Sequence, residues 1–313
     1  MTTASPVSTG GVRRDSSGAS EGSHGDRQRR RRAAFDPVPL LVIPAALLVA
    51  VLFAYAFLHG LVLSFTPAQG DWLASYRTFF ERSAFYGTVA TTLWISVPAT
   101  LINVGLAIPM AYCLRRPSSM QRFVTTLLVI PMTLGTVLVA EGLLTYLGPQ
   151  GWFVRVFHLV APVDMAVRLT HNYWGVLLSL IITGFPFAFL LILSYVTGID
   201  PTLARAAATL GASPWRQFRE IYLPLLVPGL AVTFSLSFVQ AFSVFPSAVL
   251  LGAPAGPTRV MSIAAYQAAF EEYDYSLASV VAILMGVVQL AIVLGVLGLR
   301  RFFYSGPTGG AKG

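Results

Sequence analysis

Residues 199–224 read IDPTLARAAATLGASPWRQFREIYLP, a loop between two long apolar stretches, Trp174–Gly198 and Pro224–Leu251. Asp200 can cap a helix whose first position is Pro201. Leu203, Ala206, Ala207 and Leu210 recur at i, i+3, i+4 and i+7, forming one apolar stripe on a short helix. Gly211 supplies the left-handed residue that ends a helix without a Cβ penalty. Ser213 and Pro214 restart a second short helix carrying Trp215, Arg216, Phe218 and Arg219, and Leu223-Pro224 is expected to turn the chain into the next apolar stretch. The pattern predicts two short helices hinged at a glycine, with small side chains that suit close approach to another surface.

Outward from this elbow, composition decides the setting. The chain has 313 residues, 55% hydrophobic and 11% charged, with a mean hydropathy of +0.70. A soluble domain carries roughly 25% charged residues, so this composition cannot clothe a water-soluble globule. A helix needs about 20 mostly apolar residues to cross a bilayer. Six stretches qualify: Pro39–Phe65, Phe85–Cys113, Phe123–Leu147, Trp174–Gly198, Pro224–Leu251 and Ser276–Leu299. The expected fold is therefore all-α, a polytopic membrane protein with six transmembrane helices. Its expected organisation is a disordered Arg-rich cytoplasmic tail (1–38), a transmembrane domain (39–303) containing the loop 199–224, and a cytoplasmic C-terminal tail (304–313).

Basic residues orient the spans. They gather in the N-terminal tail (Arg13, Arg14, Arg27 and Arg29 to Arg32) and in the second connection (Arg115, Arg116, Arg122). More stand in the fourth connection (Arg205, Arg216, Arg219) and at the C-terminus (Arg300, Arg301, Lys312). Arg77, Arg82, Arg155, Arg168 and Arg259 fall on the other side. Both termini are thus expected in the cytoplasm. The run RQRRRR at 27–32 stands just before a span, so it reads as a topology anchor that touches anionic lipid, not as a nucleic-acid patch. No cleavable signal peptide is expected, because the following apolar stretch is too long. Pro98, Pro109, Pro186, Pro228 and Pro246 fall within spans, and kinked helices are what a transport path tends to use.

Several chemistries are excluded. A Walker-type ATP site needs Gly-x-x-x-x-Gly-Lys-Ser/Thr, and the one lysine, Lys312, lies at the end of the chain. The single cysteine, Cys113, excludes internal disulfides and Cys-rich metal sites. His24, His59, His158 and His171 have no ligand spacing. No catalytic residue, metal or cofactor is expected, and the chain is not expected to be an enzyme by itself.

The loop resembles the EAA loop of type I ABC-importer permeases, with a pattern of roughly Glu-Ala-Ala, three residues, Gly, nine residues and Ile-x-Leu-Pro. Ala206, Ala207, Gly211, Ile221, Leu223 and Pro224 match it, whereas Arg205 stands where the family usually has glutamate. The resemblance implies a MetI-like permease core in a bacterial inner membrane. It further implies that Leu203, Arg205, Ala206, Ala207, Leu210 and Gly211 dock on an ABC ATPase, present as a dimer. A second permease subunit, identical or homologous, would complete the path, and an extracytoplasmic solute-binding protein would deliver the solute.

Less of the sequence bears on the solute. Residues 244–282 resemble the permease subgroup serving polyamines, ferric iron, thiamine and aminoethylphosphonate, through Leu251-Gly252 and the stretch Asp274 to Ser279. Glu141 is the one formally charged side chain within a span, which marks a functional site by default and favours a cation such as a polyamine. Phe238, Gln240 and Phe242 are further candidates for the path. Glu271, Glu272 and Asp274 read as a solvated rim or a docking surface for the binding protein. Two competitors are an ion- or proton-coupled secondary transporter, for which one glutamate is thin support, and a membrane-anchored regulator acting through its Arg-rich tail.

Overall fold

The computed structural model describes residues 37–67, 70–148, 151–152, 155–156 and 170–303. The expectations for the Arg-rich tail (1–38) and for the tail 304–313 fall outside them, except that Pro37 and Val38, assigned to the first tail, open a helix. Among the described residues the regular structure is entirely helical. In chain order the helices are α1 (Pro37–Ser64), α2 (Ala74–Glu81), α3 (Ser83–Cys113), α4 (Ser119–Leu147) and α5 (Tyr173–Thr197). There follow α6 (Pro201–Thr209), α7 (Pro214–Gln217), a π-helical turn (Phe218–Tyr222), α8 (Leu223–Phe242), α9 (Pro246–Leu250), α10 (Met261–Phe270) and α11 (Tyr275–Phe303). Among the described residues, six runs are long and apolar enough to span a membrane: α1, α3, α4, α5, the continuous run through α7 and α8, and α11.

The chain divides into two units within α1, after Leu58. In the first, every side chain from Ile43 to Leu58 is exposed. A helix that is apolar all round belongs in lipid or against a partner. The second unit has its centre where α3, α5 and α8 meet. Their buried faces are lined by small residues, which let helix backbones approach in a medium that offers no hydrophobic drive between them. A Cβ on Gly184 of α5 would collide with Asn103 of α3, and one on Gly229 of α8 would stand 2.5 Å from Cγ of Tyr195 on α5. Around this centre, Phe79, Phe85, Phe238, Phe242 and Met261 pack with the start of α11.

Many of the buried hydroxyls are satisfied in one of two ways. Thr92, Thr100 and Thr183 donate to the carbonyls four residues back. Others tie elements together: Ser179 and Ser247 meet at 2.7 Å, Ser75 and Ser276 at 2.9 Å, and Thr92 Oγ1 accepts from the Met261 amide at 2.9 Å.

The helices depart from the sequence expectations at three places. The fifth span ends at Phe242, not Leu251, and Pro246 opens the separate helix α9. Proline fixes its own φ and pushes the preceding residue out of the helical region, and Phe245 lies outside that region. Leu223-Pro224 makes no turn. The π-helical turn carries α7 straight into α8, with the Leu223 amide donating five residues back to Phe218. Finally, α4 breaks at Gly135 (φ 75°, ψ 163°), four residues after Pro131, a kink the sequence reading did not name.

Candidate functional site

The elbow forms as its punctuation dictates. Asp200 accepts from the Thr202 amide at 2.8 Å and Pro201 takes the first helical position. Hydrogen bonds from Thr202 hold the Asp200 carboxyl below the ordinary carboxylate range, the backbone amide most strongly, with a smaller contribution from Arg205. At the far end, the Gly211 amide donates to Ala208 and the Ala212 amide to Ala207, both at 3.0 Å. This pair of bonds is a Schellman cap, which demands a left-handed residue at Gly211, and its φ is 82°. A Cβ there would meet nothing within 4 Å, so the glycine is required by backbone angle and not by space. Ser213 then accepts from the Arg216 amide at 3.3 Å, and Gln217 donates to the Ala212 carbonyl at 2.9 Å, tying the second helix to the linker that caps the first.

The elbow has two sides. Ala204 and Phe218 face inward, against the cluster of Phe189, Ile192, Tyr222 and Leu226. Leu210 is 89% exposed, Trp215 70% and Leu203 47%. Arg205 and Ala206 are also exposed, and Ala207 is half-buried. Three large apolar side chains within one short, well-capped segment form a surface that water does not favour.

The second feature is a cavity of about 90 Å³ between α3, α4, α5 and the α8–α9 break. Asn103, Thr183, Ser237 and Ser247 form its buried floor, with Thr136 and Gln240 at the exposed rim. The rim residue Thr136 directly follows the Gly135 kink, so two interrupted helices border the same polar space. Asn103 Nδ2 donates to the Leu180 carbonyl at 3.1 Å. Its Oδ1 and the Ser237 hydroxyl are buried without a hydrogen-bond partner among the described residues. A buried polar atom left unpaired costs about 1–3 kcal/mol, and here two such atoms belong to one cavity. Among the described residues, no charged side chain lines it.

Of the four path candidates read from the sequence, three lie elsewhere. Gln240 reaches the cavity rim. Phe238 and Phe242 are fully buried, their rings 5.3 Å apart, in the cluster packed on α11. Glu141 is exposed on α4, in a shallow hollow shared with Thr145, Tyr146, Trp152 and Arg155. Asn103, Thr136, Thr183, Ser237 and Ser247 escaped the sequence reading. Their signal was present as hydroxyls and one amide deep in apolar spans, but only packing reveals that they share a space. At the same end of the bundle as α10, Glu271 and Glu272 are exposed, and Asp274 is taken up in capping α11, accepting from the Leu277 amide at 2.9 Å.

Residues 103–305 match the family model of the binding-protein-dependent transport system inner membrane component. The chain belongs to this family. It is the permease component of an ABC importer, and in this family ATP hydrolysis is the task of a separate subunit. Membership sets aside the ion-coupled secondary transporter. The chain is 33% identical over 215 residues to a probable sulfate transport system permease protein of Chlorella vulgaris, covering 68% of this chain and 77% of that one. It is 26% identical over 301 residues to the trehalose transport system permease protein of Mycobacterium tuberculosis, covering 92% and 94%. Among solved structures, it superposes with a TM-score of 0.75 and 24% identity on a chain of the bacterial alginate ABC transporter in complex with an alginate pentasaccharide-bound periplasmic protein. That match covers 92% of this chain and all of the other. The fold is thus that of an ABC-importer permease.

Proposed function

We propose that the permease transmits ATP-driven motion through the elbow, with Leu203, Arg205, Ala206, Ala207, Leu210 and Gly211 as the surface that docks on the ATPase. The observation that carries this reading is the exposed apolar knob of Leu210 on a helix whose two ends are locked by caps. The elbow and both termini lie in the cytoplasm, in keeping with the distribution of arginines. Two ATPase subunits and a second permease, identical or homologous, complete the assembly. A binding protein outside the membrane delivers the solute. Closure of the ATPase dimer then moves the elbows together, and the spans rock between inward-open and outward-open states.

The path includes the cavity around Asn103 and Ser237, with Gln240 at its rim. The relatives named above are described as carrying an inorganic anion and a neutral sugar, so the cation or polyamine reading rests on Glu141 and on the subgroup resemblance of residues 244–282. Uptake of labelled putrescine by the complete transporter, compared between wild type and Glu141→Gln, decides it. A fall of about tenfold supports a cation path, and unchanged uptake makes Glu141 a structural residue. The coupling reading is tested by Gly211→Val and Ala207→Glu, which should abolish uptake while leaving membrane insertion intact. Normal uptake by both variants refutes it.

A further inference from the structure

We infer that Tyr112 and Arg115 clasp the elbow to the end of α3, making α3 the rod that carries elbow motion to the polar cavity. The inference rests on the coupling role proposed above. The Tyr112 hydroxyl donates to the Pro214 carbonyl, the first residue of the elbow's second helix, at 3.2 Å. Its ring lies 4.7 Å from Phe218 and edge-on to Tyr222 at 5.1 Å. Trp215 adds a fourth ring, 5.6 Å from Phe218. Arg115 closes the stack: its guanidinium carbon is 3.9 Å from the Tyr112 ring centroid and 5.3 Å from that of Tyr222. Its Nη1 donates to the Tyr112 carbonyl at 2.7 Å, joining the Arg115 amide, which donates to the same end-of-helix carbonyl at 3.4 Å.

This cluster joins two segments about 100 residues apart in sequence. One is the elbow and the other is the last turn of α3. Cation–π contacts strengthen when desolvated, and Tyr222 is buried while Arg115 is half-buried. A displacement of the elbow therefore cannot leave Tyr112 behind without separating three rings and a guanidinium. Along α3, Tyr112 lies nine residues from Asn103, about 14 Å at 1.5 Å per residue. Asn103 is fixed to the Leu180 carbonyl and faces Gly184, whose lack of a side chain leaves room for its amide. The same helix thus holds the elbow at one end and contributes to the cavity floor further along. A packed rod with a discrete attachment at each point is a physical route for coupling.

The test uses the intact transporter, purified with its ATPase and partner permease and placed in vesicles with its loaded binding protein. ATP hydrolysis is measured with and without that protein. For Tyr112→Ala and Arg115→Ala, stimulated hydrolysis should fall about tenfold, while unstimulated hydrolysis stays within about twofold and the ATPase still copurifies. Tyr112→Phe keeps the ring stack and should remain within about threefold of wild type. A residue that merely holds the fold would lower both rates together. Stimulated hydrolysis at wild-type levels in both alanine variants overturns the inference. So does loss of the ATPase from them, which would make the cluster a docking surface, and so does a Tyr112→Phe variant as impaired as the alanine. If Tyr112→Ala does not fold, Arg115→Ala decides by the same two rates. Absence of an ATPase from the wild-type preparation is a different result: it removes the coupling role itself.

Discussion

Glycine does opposite work at the elbow and in the α3–α5–α8 centre. Gly211 has a left-handed backbone and open space around it, whereas Gly184 and Gly229 have ordinary helical backbones and no room for a methyl group. The elbow is shaped by its own local bonds and presents Leu203, Leu210 and Trp215 outward. The centre is shaped by its neighbours and turns its polar residues inward, onto a cavity. One region therefore offers an exposed apolar surface, and the other gathers polar groups around a cavity inside the bundle.

Substitutions can separate these two kinds of constraint. The largest effect is expected for Gly211→Val or Ala207→Glu: uptake falls by at least about tenfold, with insertion and thermal stability close to wild type. Vesicle uptake and detergent melting curves measure both quantities, and a large loss of stability would break the contrast. Gly229→Val should do the reverse, forcing the Tyr195 ring aside and costing about 1–3 kcal/mol as overpacking. Its melting temperature should fall visibly while the elbow remains able to retain the ATPase. Asn103→Leu keeps the volume but removes the bond to Leu180, worth about 0.6 kcal/mol between membrane helices. Its main effect should be on uptake, and unchanged uptake would exclude Asn103 from the path.

The smallest effect concerns Asp200. A carboxyl held below its ordinary value stabilises the capped helix above the unfolded value of about 3.9. That contribution is lost as pH falls through the lowered native value. Hydrogen-exchange protection of residues 202–210 should therefore drop in acid for wild type more than for Asp200→Asn, which keeps a capping oxygen without a charge to titrate. Equal pH dependence in the two proteins would dismiss the cap as a source of elbow stability.

The elbow was legible from sequence because caps are local: Asp200-Pro201, Gly211 and Ser213-Pro214 each act on residues within a turn of themselves. The six spans were legible from length and apolarity. The cavity was not, because Asn103, Thr183 and Ser237 lie on three helices whose mutual rotation is set by packing at Gly184 and Gly229. Nor was the break at Ser243 to Phe245. The surrounding run is apolar on every side, and hydrophobic periodicity alone does not mark where one helix stops. Pro224 misled for a related reason: it reads as a breaker, yet the π-helical turn before it carries the helix through. The Tyr112–Arg115 cluster joins segments so distant in the chain that no local pattern announces it.

The central claim is that the elbow is gripped by a separate ATPase. Its most direct measurement is recovery of that ATPase with the permease from membranes in mild detergent, comparing wild type with Ala207→Glu. Wild type should bring down an ATPase in equal stoichiometry with permease chains, and the variant should lose it or its stimulated hydrolysis. A wild-type permease that carries solute with no ATPase bound, or a variant indistinguishable from it, would contradict the claim.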